Sequence, residues 1–145
     1  MPFTYTAPFA QTPKTANCVA AVPFSLSGVT SLSDDTPGNT VILLTAGGDG
    51  ALVTSVRAIT RATNTATMGA LFLRKSLDPA GKRSIVGSVS IAAQTLSTST
   101  AIAEYPFSIA SETSPMRLQA GDELHFGIAV AQSSGITATA QFVNF

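Results

Sequence analysis

Glu123-Leu124-His125-Phe126-Gly127-Ile128-Ala129-Val130-Ala131 alternates strictly: Leu124, Phe126, Ile128 and Val130 fall on one side of an extended chain, Glu123, His125, Gly127 and Ala129 on the other. A period of two is the pattern of a β-strand with one buried face, so the first set is the expected core face. The end of the chain continues in the same way. Ile136, Ala138, Ala140 and Phe142 alternate with Thr137, Thr139 and Gln141, and the chain closes with Val143 and Phe145 on the otherwise polar side. Those two apolar side chains need cover, and a neighbouring subunit is the expected source.

Further short β-type runs fill the rest of the chain, at 18–26, 40–45, 52–61, 67–75, 84–92 and 101–109, which with 123–131 and 136–145 make eight expected strands. The separators are turn-forming: Asp34-Asp35-Thr36-Pro37-Gly38-Asn39, Gly47-Gly48-Asp49-Gly50, Asp78-Pro79-Ala80-Gly81 and Ser133-Ser134-Gly135. No helical stripe is present, and short strands at even spacing point to an all-β sandwich or barrel. Two runs, Val41-Ile42-Leu43-Leu44 and Ala70-Leu71-Phe72-Leu73, are apolar on both faces. One face of a strand packs inside a sandwich, so the second face, Phe72 included, is expected against a neighbouring subunit.

Composition limits what this chain can be. Eight basic and eight acidic residues among 145 give a net charge of zero, well below the roughly one-quarter charged content of ordinary soluble domains. So little fixed charge favours association over repulsion, and an exterior covered by copies of the chain or by a larger assembly is expected. A chain of this length forms one domain that buries about 70% of its unfolded surface. The division expected is an extended N-terminal arm at 1–16 and a single domain at 17–145. The arm, MPFTYTAPFAQTPKTA, combines three prolines with Phe3, Tyr5 and Phe9; it reads as a loose arm or as a strip across a neighbouring subunit, and its aromatic rings favour docking.

Several functions find no residues to carry them. Residues 84–103 are uncharged, but eight of them are Ser or Thr and Ser88-Val89-Ser90-Ile91 alternates as a strand does, so no membrane span is expected. No basic cluster marks a nucleic-acid partner, because Arg57 and Arg61 lie far in sequence from Lys82-Arg83. No basic and apolar leader opens the chain, so synthesis in a reducing cytoplasm is expected. The single cysteine, Cys18, excludes an intrachain disulfide and reads as a small buried hydrophobe. His125 is the one histidine and has no Gly-x-Ser-x-Gly elbow beside it, so no catalytic residue is expected. One His, one Cys and scattered carboxylates make no zinc set, Asp34-Asp35 reads as a turn rather than a calcium loop, and no cofactor is implied. Gly47-Gly48-Asp49-Gly50 lacks the Lys-Ser/Thr of a phosphate loop. Arg57 and Arg61 share a side with Ser55 and Ile59 and are expected to keep an outward face wet.

The segment Leu118-Gln119-Ala120-Gly121-Asp122-Glu123-Leu124, a leucine, two residues, Gly-Asp, one residue and a hydrophobe, resembles the turn before the penultimate strand in jelly-roll domains of the tumour necrosis factor and complement globular-head superfamily. That resemblance implies a jelly-roll β-sandwich of about eight antiparallel strands. In it the glycine permits the turn, the aspartate caps it, and the chain ends near a threefold axis. The texture of the chain, rich in Ala, Thr and Ser and poor in charge, also resembles small structural proteins encoded in bacteriophage and prophage morphogenesis regions. The two likenesses together imply a non-enzymatic virion protein, a homotrimer decorating a capsid through contact with the major capsid or another particle protein. Val143, Phe145 and Phe72 are then the expected subunit contacts, and Phe3, Tyr5 and Phe9 the particle-binding arm. A glycan- or receptor-binding head of a phage tail is the alternative; the absence of Trp and the presence of only two tyrosines count against it.

Overall fold

The computed structural model describes residues 12–25, 36–79 and 81–145. Among them are nine strands and no helix: β1 (Thr12–Ala20), β2 (Val41–Thr45), β3 (Ala51–Thr60), β4 (Thr67–Arg74), β5 (Ser84–Ile91), β6 (Glu104–Pro106), β7 (Met116–Leu118), β8 (Glu123–Ile128) and β9 (Ile136–Asn144). They form two antiparallel sheets, one in the order β1-β9-β3-β6 with β7 also on β3, the other in the order β2-β8-β4-β5.

The order follows from one simple folding plan. The first half of the chain pairs with the second in reverse: β4 with β5, β3 with β6 and β7, β2 with β8, β1 with β9. This is one long antiparallel hairpin bent between β4 and β5. Rolling it up adds the pairs β3–β9 and β4–β8 and splits the ribbon into two facing sheets. That winding is the jelly roll, and its sixth strand is here broken into β6 and β7. The eight runs read from sequence correspond to β1–β6, β8 and β9, whereas the three residues of β7 are too few for any periodicity to show.

The core lies between the sheets, as the alternation requires. Leu124, Phe126 and Ile128 are fully buried and face Val53, Val56, Ile136, Ala138 and Ala140 of the other sheet's strands. Small side chains on β9 and β3 thus meet large ones on β4 and β8, the large-against-small pairing that fills a thin sandwich. Phe107, just past β6, sets its ring edge-on to Phe126 at 6.3 Å. Cys18 belongs to this core, and burial pushes its thiol up to about 12 against an opposing hydrogen bond at Ala138.

Three expectations need correction. β1 begins at Thr12, so it takes in the last five residues of the expected arm, and Pro13 sits in register opposite Val143. Proline is compatible with this position because β1 is an edge strand and its missing N–H costs no ladder bond on the open side. Val130 is 46% exposed, because β8 ends at Ile128 and the alternation carries past the strand. The apolar outer face of β4 is covered from within the chain. After β1, Phe24 donates its N–H to Ile128 O at 2.9 Å and lays its ring edge-on to Phe72 at 5.4 Å. Gly127 makes the room: a Cβ there would lie 3.0 Å from the Phe24 ring and 3.4 Å from that of Phe72. In β2 a bulge between Ile42 and Leu44 turns both Leu43 and Leu44 inward while Ile42 stays half exposed.

Candidate interaction surface

The outer face of the β1-β9-β3-β6 sheet is assembled from cross-strand rows. Register places Val19, Thr137 and Ile59 in one row, then Asn17, Thr139 and Arg57, then Thr15, Gln141 and Ser55, and last Pro13, Val143 and Leu52. Arg117 of β7 extends the last row beyond Leu52. The middle of the face is therefore hydroxyl and amide, and the end where the chain closes is apolar. Phe145 completes that end: its N–H donates to Gly50 O at 3.3 Å, and the Arg117 guanidinium lies 5.6 Å from its ring centroid, a cation–π arrangement.

β3 carries a bulge at Thr54, between Val53 and Ser55, where the Thr54 hydroxyl donates to Gln141 O at 3.2 Å. Two depressions open on either side of that residue pair. One, of about 300 Å³, lies toward Pro13, Lys14 and Val143. The other, of about 470 Å³, lies where the sheet edge is interrupted between β6 and β7, against Ser55, Pro106, Ser108, Ser111 and Glu112. Both are shallow and neutral apart from Lys14 and Glu112, which suits broad surface matching better than capture of one small molecule. Arg57 reaches Glu104 of its own chain at 3.4 Å, both well exposed. Such a pair contributes at most about 1 kcal/mol and keeps this part of the face wet.

The Gly-Asp turn is a structural staple. Gly121 takes a positive φ of 77°, which glycine adopts without strain. The Asp122 carboxylate, fully buried, accepts hydrogen bonds from Ser76 N–H at 3.0 Å, Gln119 N–H at 2.9 Å and the Lys75 ammonium at 3.1 Å. It ties the β7–β8 turn to the turn after β4. Burial by itself would raise this carboxyl, but the two backbone donors and the nearby Lys75 hold it below the ordinary carboxylate range.

On the outer face of the other sheet the polar side chains form a directed chain. Arg83 donates to Thr40 Oγ1 at 2.8 Å, and Thr40 to His125 Nδ1 at 3.3 Å. His125 Nε2–H donates in turn to Glu123 at 3.0 Å, which also receives Arg74 at 3.2 Å. Burial, aided by the charges of Arg83 and Arg74 and opposed by Glu123, holds the imidazole below its usual pKa and so neutral at pH 7. The hydrogen bond from His125, aided by Arg74 and opposed by burial, lowers Glu123. Both nitrogens of this 3%-exposed histidine are therefore occupied in packing the sheet.

Val143 and Phe145 come together on one sheet end, each half-buried. Phe72 does not join them: it lies on the opposite sheet, 1% exposed beneath Phe24. A ring covered by its own chain has no surface to offer a neighbour. Phe3, Tyr5 and Phe9, like Asp34-Asp35, lie outside the described residues. Leu52, Pro13 and Arg117 were missed at this end because only cross-strand register puts them beside Val143, and no local pattern in the sequence encodes that register.

No family model and no curated protein matches the chain. Among solved structures it is similar to infectious bursal disease virus of the Gx strain, at 11% identity over 92% of this chain and 33% of that one, TM-score 0.32. The Gt strain of the same virus gives 13% identity over 91% of this chain and 32% of that one, TM-score 0.33. The chain spans about a third of the length of either matched chain. The jelly roll described above stands on the strand order of this chain itself.

Proposed function

We propose that this protein is a non-enzymatic structural component of a virion, a capsid decoration or head-associated protein of a bacteriophage or phage-like particle, made in the host cytoplasm. The observation that carries the reading is the apolar end of an otherwise hydroxyl-lined sheet face, Pro13, Leu52, Val143 and Phe145, in a chain with only eight charges of each sign. An end of this kind fits burial against a second copy, and a trimer is the assembly proposed. Each protomer then offers one shallow, neutral contact to the particle. Three linked contacts bind far more tightly than one, because after the first engages the others act at high effective concentration.

The aromatic strip Phe3, Tyr5 and Phe9 is the proposed grip on the shell. Since β1 begins at Thr12, removing residues 1–11 spares every described strand. The truncated protein should keep its oligomeric mass and lose at least about tenfold in affinity for purified particles, the loss of one multivalent contact class. Co-sedimentation with empty and mature particles measures this, and unchanged binding removes the arm from the account. Full-length protein that leaves particles bare while binding cells or glycans replaces decoration with a receptor-binding head.

A further inference from the structure

A β-sandwich exposes four sheet edges, and three of them here carry recognised protection against pairing. β1 has Pro13 and Lys14; β2 is five residues long and bulged; the β6/β7 edge is two three-residue pieces, with Glu104 and Pro106 in the first. β5 differs. It is eight residues long, SIVGSVSI, with no proline and no charge, and the uncharged run continues to Ala103. Like β2 it is bulged, at Val86, where its register with β4 shifts between Leu71 and Phe72, but from Gly87 to Ile91 it runs regularly, and what sets it apart is the lack of any charge or proline. Among the described residues no backbone hydrogen bond reaches Ile85–Ile91 from any element but β4.

We propose that this edge is a second self-association surface, in which β5 of one copy pairs antiparallel with β5 of another about a twofold axis and the two four-stranded sheets become one. The occupant is a second copy for three reasons. A twofold needs only one patch, which meets itself. With no charged side chain on the strand, self-pairing meets no like-charge repulsion, and nothing there selects a different chain by charge. Ser88 and Ser90, which alternate onto the outer face, are small and exposed, so they set no bulk beside a partner strand about 4.8 Å away. This surface is separate from the Val143 and Phe145 end, which belongs to the other sheet.

Hydrogen exchange of the whole protein at low and high concentration tests it. In a free edge strand alternate amides point to solvent and exchange readily. In the paired edge the outward amides within Ile85–Ile91 should slow by at least about tenfold as concentration rises. The double variant S88K/S90K, at two exposed positions, sets lysines against lysines across the axis and should abolish that slowing while thermal unfolding shows an intact fold. Phe145→Asp should leave the slowing in place, which separates this surface from the trimer contact. Exchange that does not depend on concentration, or slowing that survives both lysines, overturns the proposal and leaves the trimer contact untouched.

Discussion

Phe145→Asp should turn the proposed oligomer into folded monomers. The ring lies at the apolar end of the β1-β9-β3-β6 face with Arg117 beside it. A carboxylate at that position can take the Arg117 guanidinium as its partner, so the protomer keeps its fold. The subunit contact does not survive, because an apolar surface has been replaced by a charge that must be stripped of water. A penalty of about 3 kcal/mol is expected for such a burial, which weakens association by roughly two orders of magnitude. Sedimentation velocity on the variant, with circular dichroism to check the fold, gives the answer; an unchanged mass places the contact elsewhere.

Asp122→Ala should have the largest effect on stability. The substitution leaves the N–H groups of Ser76 and Gln119 without their acceptor in a fully buried site. At about 1 to 3 kcal/mol for each orphaned group, the cost is about 4 kcal/mol, a large part of the about 5 to 15 kcal/mol that holds a domain together. Asn does not rescue it, since its amide can turn an oxygen toward only one of the two donors and sets N–H against the other. Chemical denaturation should show the midpoint falling sharply with an unchanged slope; a loss below about 1 kcal/mol contradicts the staple role.

The same carboxylate sets the acid limit of the fold. A carboxyl held below its unfolded value stabilises the protein fully above about pH 4, and that contribution disappears as pH falls through the folded value. Glu123 is lowered as well and acts in the same direction. His125, lowered by burial, reinforces both: the unfolded chain takes up its proton below about pH 6.5 while the folded chain resists it, so stability declines from there downward. The unfolding midpoint should therefore fall in two stages on acidification, and Asp122→Ala should lose most of the second.

The all-β class was legible because alternation is local. Leu124, Phe126 and Ile128, or Ile136, Ala138 and Ala140, show their buried face without reference to any other strand. The turn at Gly121-Asp122 was legible for the same reason, although its two backbone donors, at Ser76 and Gln119, lie on different turns. What escaped depends on register and on distant covering. The first five residues of β1 looked like part of the arm because proline is read as a strand breaker until its edge position is known. Phe72 looked available to a neighbour because nothing near it in sequence announces Phe24, some fifty residues earlier, as its cover. The candidate interaction surface was half legible: Val143 and Phe145 stood out as apolar residues on a polar side, whereas Leu52 and Pro13 joined them only once the strands were aligned.

Multi-angle light scattering of the purified protein across a wide concentration range tests self-association most directly. The account predicts a mass of three times the 14.8 kDa protomer, or a larger multiple as the β5 edges engage. A species that stays at 14.8 kDa at high concentration, fully soluble, would contradict it.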